Sequence, residues 1–205
     1  MIKKERISVL LDELQQLLPN AHIILEYSNN WELVVAVVLS AQCTDKQVNK
    51  VTRTLFQKYS TLEDYVNADI KEFEQDIYST GFYKNKAKNV LAGARVVKEQ
   101  FSGEIPKTIA ELIQIPGVGR KTANVVLGNV HGIYEGIAVD THVMRFAKNF
   151  GLTNSSNPDI IERDLMAILP QEEWFPFTYY AIEYGRKYCP ARCKHESCPL
   201  REYLA

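Results

Sequence analysis

Apolar residues recur at helical spacing along almost the whole chain, and this period limits the fold more than any other feature. Leu10, Leu11, Leu14, Leu17 and Leu18 share one helical face, as do Val48, Val51, Leu55 and Phe56. No hairpin signal joins two alternating runs. Breaks fall at Pro19-Asn20, Ser28 to Asn30, Ser60-Thr61, Ser79 to Gly81, Ser102-Gly103, Pro116 to Gly119, Gly132 to Gly136, Gly151 to Pro158 and Pro170. The pattern predicts an all-α protein of about ten short helices, without repeats or long linkers.

With 205 residues the chain can bury a real core, in one large domain or two small ones. Lys3, Lys4 and Arg6 precede apolar residues, but Asp12, Glu13, Gln15 and Gln16 interrupt the run, so it reads as an amphipathic helix rather than a leader. The apolar run Leu33 to Leu39 is too short to span a bilayer. A cytoplasmic, monomeric protein with no membrane partner is the expectation. Net charge is −1, from 24 basic and 25 acidic residues, which argues mildly against a nucleic-acid partner. The distribution softens this. Glu63, Asp64, Asp69, Glu72, Glu74 and Asp76 read as a solvated acidic face. Lys84, Lys86 and Lys88 cluster, as do Arg120 and Lys121, and Arg186, Lys187, Arg192 and Lys194; such patches can bind phosphate locally.

The most informative stretch runs from Ile109 to Leu127. A helix carrying Ile109, Leu112 and Ile113 is expected to end at Ile115-Pro116, with a tight turn at Gly117-Val118-Gly119 and a second helix from about Arg120. Two glycines let a partner approach the backbone, and the amides there, with the helix N-terminus, suit one phosphate. The same residues also serve as ordinary punctuation between helices. Lys121 adds chemistry. A lysine nucleophile must be neutral to attack, and the first turn of a helix is unfavourable for an ammonium, as is Arg120 alongside. The alternative is a surface lysine that grips phosphate. Further on, Ile137-Ala138-Val139 leads into Asp140, after which a helix departs. Asp140 reads as an N-cap, a role that would also fix its carboxylate for catalysis. His142 reads as packed or hydrogen-bonded rather than catalytic.

Hairpin, lysine and aspartate together resemble the helix-hairpin-helix DNA glycosylases, and most closely their endonuclease III family. Leu39 to Asp45 with Val48-Asn49-Lys50 resembles that family's LSAQ-containing segment, and Thr80 to Ala87 a second one. Pro116 to Asn124, Val139 to Val143, and Gly185-Arg186 leading into cysteines complete five matches in order. The resemblance covers most of the chain. It implies two helical lobes with DNA in a cleft between them: a six-helix bundle over residues 22–133, and a second lobe joining 1–21 to 134–205. It implies that Lys121 attacks C1′ of a flipped nucleotide and expels an oxidised pyrimidine, with Asp140 accepting a proton or steadying charge on the sugar. The resulting Schiff base would permit β-elimination. Gln42 would fill the gap left by the flipped base; by itself it could also simply end a helix. Gly117, Val118, Gly119 and Arg120 would hold the DNA backbone. Adenine-mismatch glycosylases resemble this pattern but lack the lysine, and the 8-oxoguanine branch lacks the LSAQ-like segment.

The cysteine tail departs from the family. The resemblance implies four cysteines around a [4Fe–4S] cluster, whereas here Cys189, Cys193 and Cys198 are separated by three and four residues. If Cys198-Pro199-Leu200 marks the third family cysteine, His195 falls in the second place and Leu204 in the fourth. Cys43 lies in the LSAQ-like segment. Three readings stay open: a degenerate cluster on three thiolates with His195 or an outside ligand, a zinc ion on Cys189, Cys193, His195 and Cys198, or a tail held by packing alone. Disulfides are not expected in a reducing compartment. Two other functions compete with a bifunctional glycosylase that also nicks abasic sites in double-stranded DNA. One is a helix-hairpin-helix binding module without chemistry, and the other a monofunctional glycosylase for other bases.

Overall fold

The computed structural model describes residues 3–205, and among these there are helices and turns but no strand. Eleven α-helical segments follow in order: α1 Lys3–Leu17, α2 Asn30–Leu39, α3 Asp45–Lys58, α4 Leu62–Asn67, α5 Ile70–Asp76, α6 Tyr83–Gln100, α7 Ile109–Leu112, α8 Arg120–His131, α9 Thr141–Asn149, α10 Pro158–Met166 and α11 Trp174–Lys187. None of them is long and apolar enough to cross a membrane. The chain divides into two compact units, Ile24–Ile133 and the stretch up to Ile23 joined to Tyr134–Ala205.

Within Ile24–Ile133 the organising element is α2. Every residue from Trp31 to Leu39 is buried and all but Glu32 are apolar, as in a helix enclosed on all sides. Asn29 caps it by accepting the Glu32 amide at 2.9 Å. Helices α3, α6 and α8 pack around it. Beside it an aromatic cluster joins Trp31, Tyr59, Tyr65 and Phe73, with neighbouring ring centroids 5.2–5.9 Å apart. Each such ring contributes about 1.5–3 kcal/mol by leaving water.

The acidic residues of this unit do not form one solvated face. Asp64 and Asp69 work at the N-termini of α4 and α5, Asp76 accepts from Lys58 and Tyr59, and Glu74 is buried and paired with Lys71. The expected cluster of Lys84, Lys86 and Lys88 is also corrected. Lys84 and Lys88 are exposed, whereas Lys86 is only 5% exposed, because on a helix it faces away from the other two. Its Nζ donates to the carbonyl of Leu39 and to that of Thr80, both at 2.8 Å. Burial pushes its pKa down. Lys86 thus ties the C-terminal end of α2 to the turn that precedes α6.

In the other unit, α9, α10 and α11 enclose Phe146, Phe150, Phe177 and Tyr184, with neighbouring rings 4.3–6.0 Å apart. Helix α1 adds Ile7, Leu10, Leu11 and Leu14 from its apolar face, as an amphipathic N-terminal helix should. Arg6 Nη1 of α1 donates to the Phe150 carbonyl at 3.1 Å, and the Ala205 amide to the Asn149 carbonyl at 2.9 Å, so both bond the C-terminal end of α9.

Lys86→Met should keep the stem volume but strand two buried carbonyls, lowering stability by roughly 2–4 kcal/mol in urea unfolding. An unchanged midpoint would mean that the two bonds are not needed.

Candidate active site and metal-ligand cluster

The Gly117–Gly119 turn forms as a hairpin between α7 and α8. Helix α7 is a single turn; Ile109, Leu112 and Ile115 are buried, but Ile113 is 50% exposed, so it does not join the apolar face expected for it. The Val118 amide donates to the Ile115 carbonyl at 3.0 Å, and Val118 itself is buried. The two glycines have different reasons to be there. Gly117 adopts φ +87, and a Cβ on it would lie 2.9 Å from the Cβ of Asn89. Gly119 has an ordinary extended backbone, φ −90 and ψ 175, and nothing lies within 4 Å of where its Cβ would be. No internal contact requires glycine at 119, which suits close approach by an outside group.

Gly119 is also the N-cap of α8. Side chains of Asn29, Thr44, Thr61, Asp69, Thr108, Asp140 and Asn157 cap seven other helices. Glycine offers the first-turn amides of α8 no such acceptor, and a helix N-terminus attracts anions. Arg120 and Lys121 occupy that first turn and are exposed, while Ala123, Asn124, Val126 and Leu127 face the interior. Lys121 therefore stands on a well-anchored helix with its side chain toward solvent.

Asp140 caps α9. Its Oδ1 accepts from the amides of His142 at 2.8 Å and Val143 at 2.9 Å, so the cap occupies one of the two carboxylate oxygens. The segment leading to it is held from both sides. Glu162 of α10 accepts from the Ile137 amide at 3.2 Å, and Thr178 of α11 donates to the Ala138 carbonyl at 3.5 Å. His142 Nδ1 lies 3.0 Å from Nη2 of Arg145 and is half-buried, a structural arrangement in line with its sequence reading.

Gln42 is exposed and adopts φ +53, in the turn that follows α2. Phe82 has the same character: 63% exposed, φ +49, at the start of α6. A bulky residue in the left-handed region is strained, and such strain gathers at functional sites. Lys86 bonds the chain just before both turns, at Leu39 and Thr80. Phe82 did not stand out as a site residue in the sequence; its only local signal was an aromatic after Gly81. A pocket of about 280 Å³ in the same unit, lined by Trp31, Tyr59, Thr61 and Tyr65 among others, contains none of the residues expected to act.

In the tail, Cys189, Cys193, His195 and Cys198 converge, with their donor atoms all within 4.8 Å of one another, a set able to bind metal. Cys189 and Cys198 are buried. Burial pushes both thiols up, whereas the His195 amide, 3.3 Å from Cys193 Sγ, holds that thiol down. Cys43 belongs to the other unit and is a free thiol.

Residues 35–171 match the family model described as HhH-GPD superfamily base excision DNA repair protein. Endonuclease III of Synechocystis sp. is 47% identical over 93% of this chain and 87% of its own, and that of Bacillus subtilis 45% over 98% and 92%. A trapped endonuclease III–DNA covalent intermediate superposes with a TM-score of 0.94 at 44% identity, covering 100% of this chain and 96% of that one. Fold and match define the class, that of the helix-hairpin-helix base excision repair proteins. Within it, the chain belongs to the endonuclease III family.

The two glycines separate folding from binding. Gly117→Ala should cost about 1–3 kcal/mol through its positive φ, measured by thermal melting. Gly119→Ser, which keeps a competent N-cap on α8, should not lower the melt yet should weaken DNA binding in a fluorescence anisotropy titration. Equal effects of both on stability would contradict this division.

Proposed function

We propose that this protein is a cytoplasmic, bifunctional DNA glycosylase and abasic-site lyase of base excision repair, which removes oxidised pyrimidines from double-stranded DNA. The observation that carries the reading is Lys121, an exposed lysine in the first turn of a helix whose N-cap is a glycine. Covalent capture of DNA by an endonuclease III that is 44% identical to this chain supports it.

The neutral Lys121 amine attacks C1′ of an extruded nucleotide, and the bond from C1′ to the base breaks with the electron pair leaving on the base. Asp140 takes up the proton released from the attacking nitrogen or steadies positive charge on the sugar; its capped Oδ1 fixes the carboxylate and leaves the second oxygen for this work. Opening of the sugar ring gives a Schiff base on Lys121. Loss of a proton from C2′ then expels the 3′ phosphate by β-elimination, and hydrolysis frees the lysine. The Gly117–Gly119 turn with Arg120 holds a backbone phosphate against the α8 N-terminus. Gln42 occupies the space of the extruded nucleotide, and Phe82 is an apolar wedge beside the parted step. The tail residues Cys189, Cys193, His195 and Cys198 form a set that can hold metal, as a degenerate cluster or as a single ion.

Lys121→Gln should abolish both base release and borohydride trapping on an oligonucleotide with an oxidised pyrimidine, while affinity stays within a few-fold. Turnover at the wild-type rate would remove Lys121 from the reaction. Asp140→Asn preserves a side chain that caps as well as aspartate does. Its melting temperature should barely move while single-turnover base release falls about 100-fold or more. A large drop in melting temperature with normal activity per folded molecule would reduce Asp140 to a cap.

A further inference from the structure

The separation between metal ligands is set by what stands at their centre. In a tetrahedron around one ion, at about 2.3 Å to sulfur and about 2.05 Å to nitrogen, S···N pairs lie about 3.6 Å apart and S···S pairs about 3.8 Å. A four-iron cubane interposes irons and sulfides and spreads its ligand atoms to about 6 Å. In the tail, His195 Nδ1 lies 3.5 Å from Cys189 Sγ and 3.6 Å from Cys198 Sγ, and Cys193 Sγ lies 3.3 Å from Cys198 Sγ. No pair among the four donors exceeds 4.8 Å. These three separations lie within about 0.5 Å of the one-ion edges, and a cubane does not fit among donors that all lie within 4.8 Å of one another.

Ligand identity agrees with the distances. If Cys198 stands in the third place that the resemblance implies, His195 takes the second and Leu204 the fourth, and leucine cannot ligate. Cys193 lies outside those places, yet the fold brings its sulfur into the set. His195 reaches its position by adopting φ +62.

We propose that Cys189, Cys193, His195 and Cys198 bind a single zinc-class ion as a structural S₃N site in place of the four-iron cluster. The proposal rests on the tail being a metal site, and not on the glycosylase chemistry. Three thiolates and an imidazole in a tetrahedron suit zinc, which such ligands also bind more tightly than iron(II). Hydrogen bonds from neighbouring groups reach two of the three sulfurs. Cys193 Sγ accepts from the His195 amide at 3.3 Å, and Cys189 Sγ from Asn149 Nδ2 at 3.7 Å. Three thiolates and one divalent ion leave one net negative charge, and Arg145 stands beside it, donating from Nε to the Cys189 carbonyl at 3.2 Å. Such hydrogen bonds around the ligands orient them and tune the site. Bound there, the ion would pin the tail to α9 and α11 without redox chemistry of its own.

The test is metal analysis of the full chain, purified without oxygen from cells supplied with both iron and zinc. Colourless protein with about one zinc per chain and no acid-labile sulfide is expected. Exchange into cobalt(II) should give the strong visible bands of tetrahedral cobalt–thiolate. Cys193→Ser and His195→Ala should each drop bound zinc to near none, with circular dichroism reporting the fold, and His195→Cys should retain it. Four irons with four sulfides would overturn the proposal, and so would a chain without metal, or a Cys193→Ser variant that keeps its full zinc. Borohydride trapping is scored on the same preparations. A chain that traps DNA but holds no zinc refutes the ion alone, and one that holds zinc but never traps refutes the lyase alone.

Discussion

A helix with no polar face has only one stable place, the middle of other helices, and α2 imposes that condition on the whole Ile24–Ile133 unit. Helices α3, α6 and α8 are the walls it requires. Because α8 is one of those walls, its buried face fixes its axis, and Arg120 and Lys121 at its first turn are held at the unit's surface. The position of the proposed nucleophile is thus set by burial of residues that never touch a substrate. Enclosing α2 also leaves its C-terminal carbonyls needing partners, and Lys86 meets that need at Leu39 while bonding Thr80 as well.

Of the three non-glycine residues with positive φ in this unit, two stand at the turns that Lys86 braces. Gln42 and Phe82 both adopt left-handed backbone and expose their side chains, in turns adjoining the two carbonyls that Lys86 binds. Gly119 leaves open space where a side chain would be. A surface selected for stability alone would have filled that space and relaxed those turns. In the other unit, the α9 cap uses one carboxylate oxygen of Asp140 and leaves the second for the reaction proposed for it.

Much of this was legible in the chain itself. Helical period, glycine and proline punctuation and the Asp140 cap are local, and local signals survive folding. What was misread depended on facing. Lys84, Lys86 and Lys88 look like one basic patch until the helical period is applied, which puts Lys86 on the opposite face from the other two. Glu74 was hidden for the same reason, turned inward beside exposed Glu72. Ile113 misled in the opposite sense: a one-turn helix has too little buried face to hold it. Phe82 carried no backbone signal, since nothing in a phenylalanine announces positive φ. The tail could be counted in sequence but not measured. Spacing left cluster, zinc and packing open, and only the donor separations distinguish one ion from four.

The proposed chemistry turns on one bond, between Lys121 Nζ and C1′ of the sugar. Reduction of the enzyme–DNA intermediate with borohydride, digestion, and tandem mass spectrometry of the cross-linked peptide locate that bond directly. A single modified peptide is expected, with fragments that place the sugar remnant on Lys121. A remnant on Lys84, Lys88 or the N-terminal amine, with Lys121 unmodified, would contradict it.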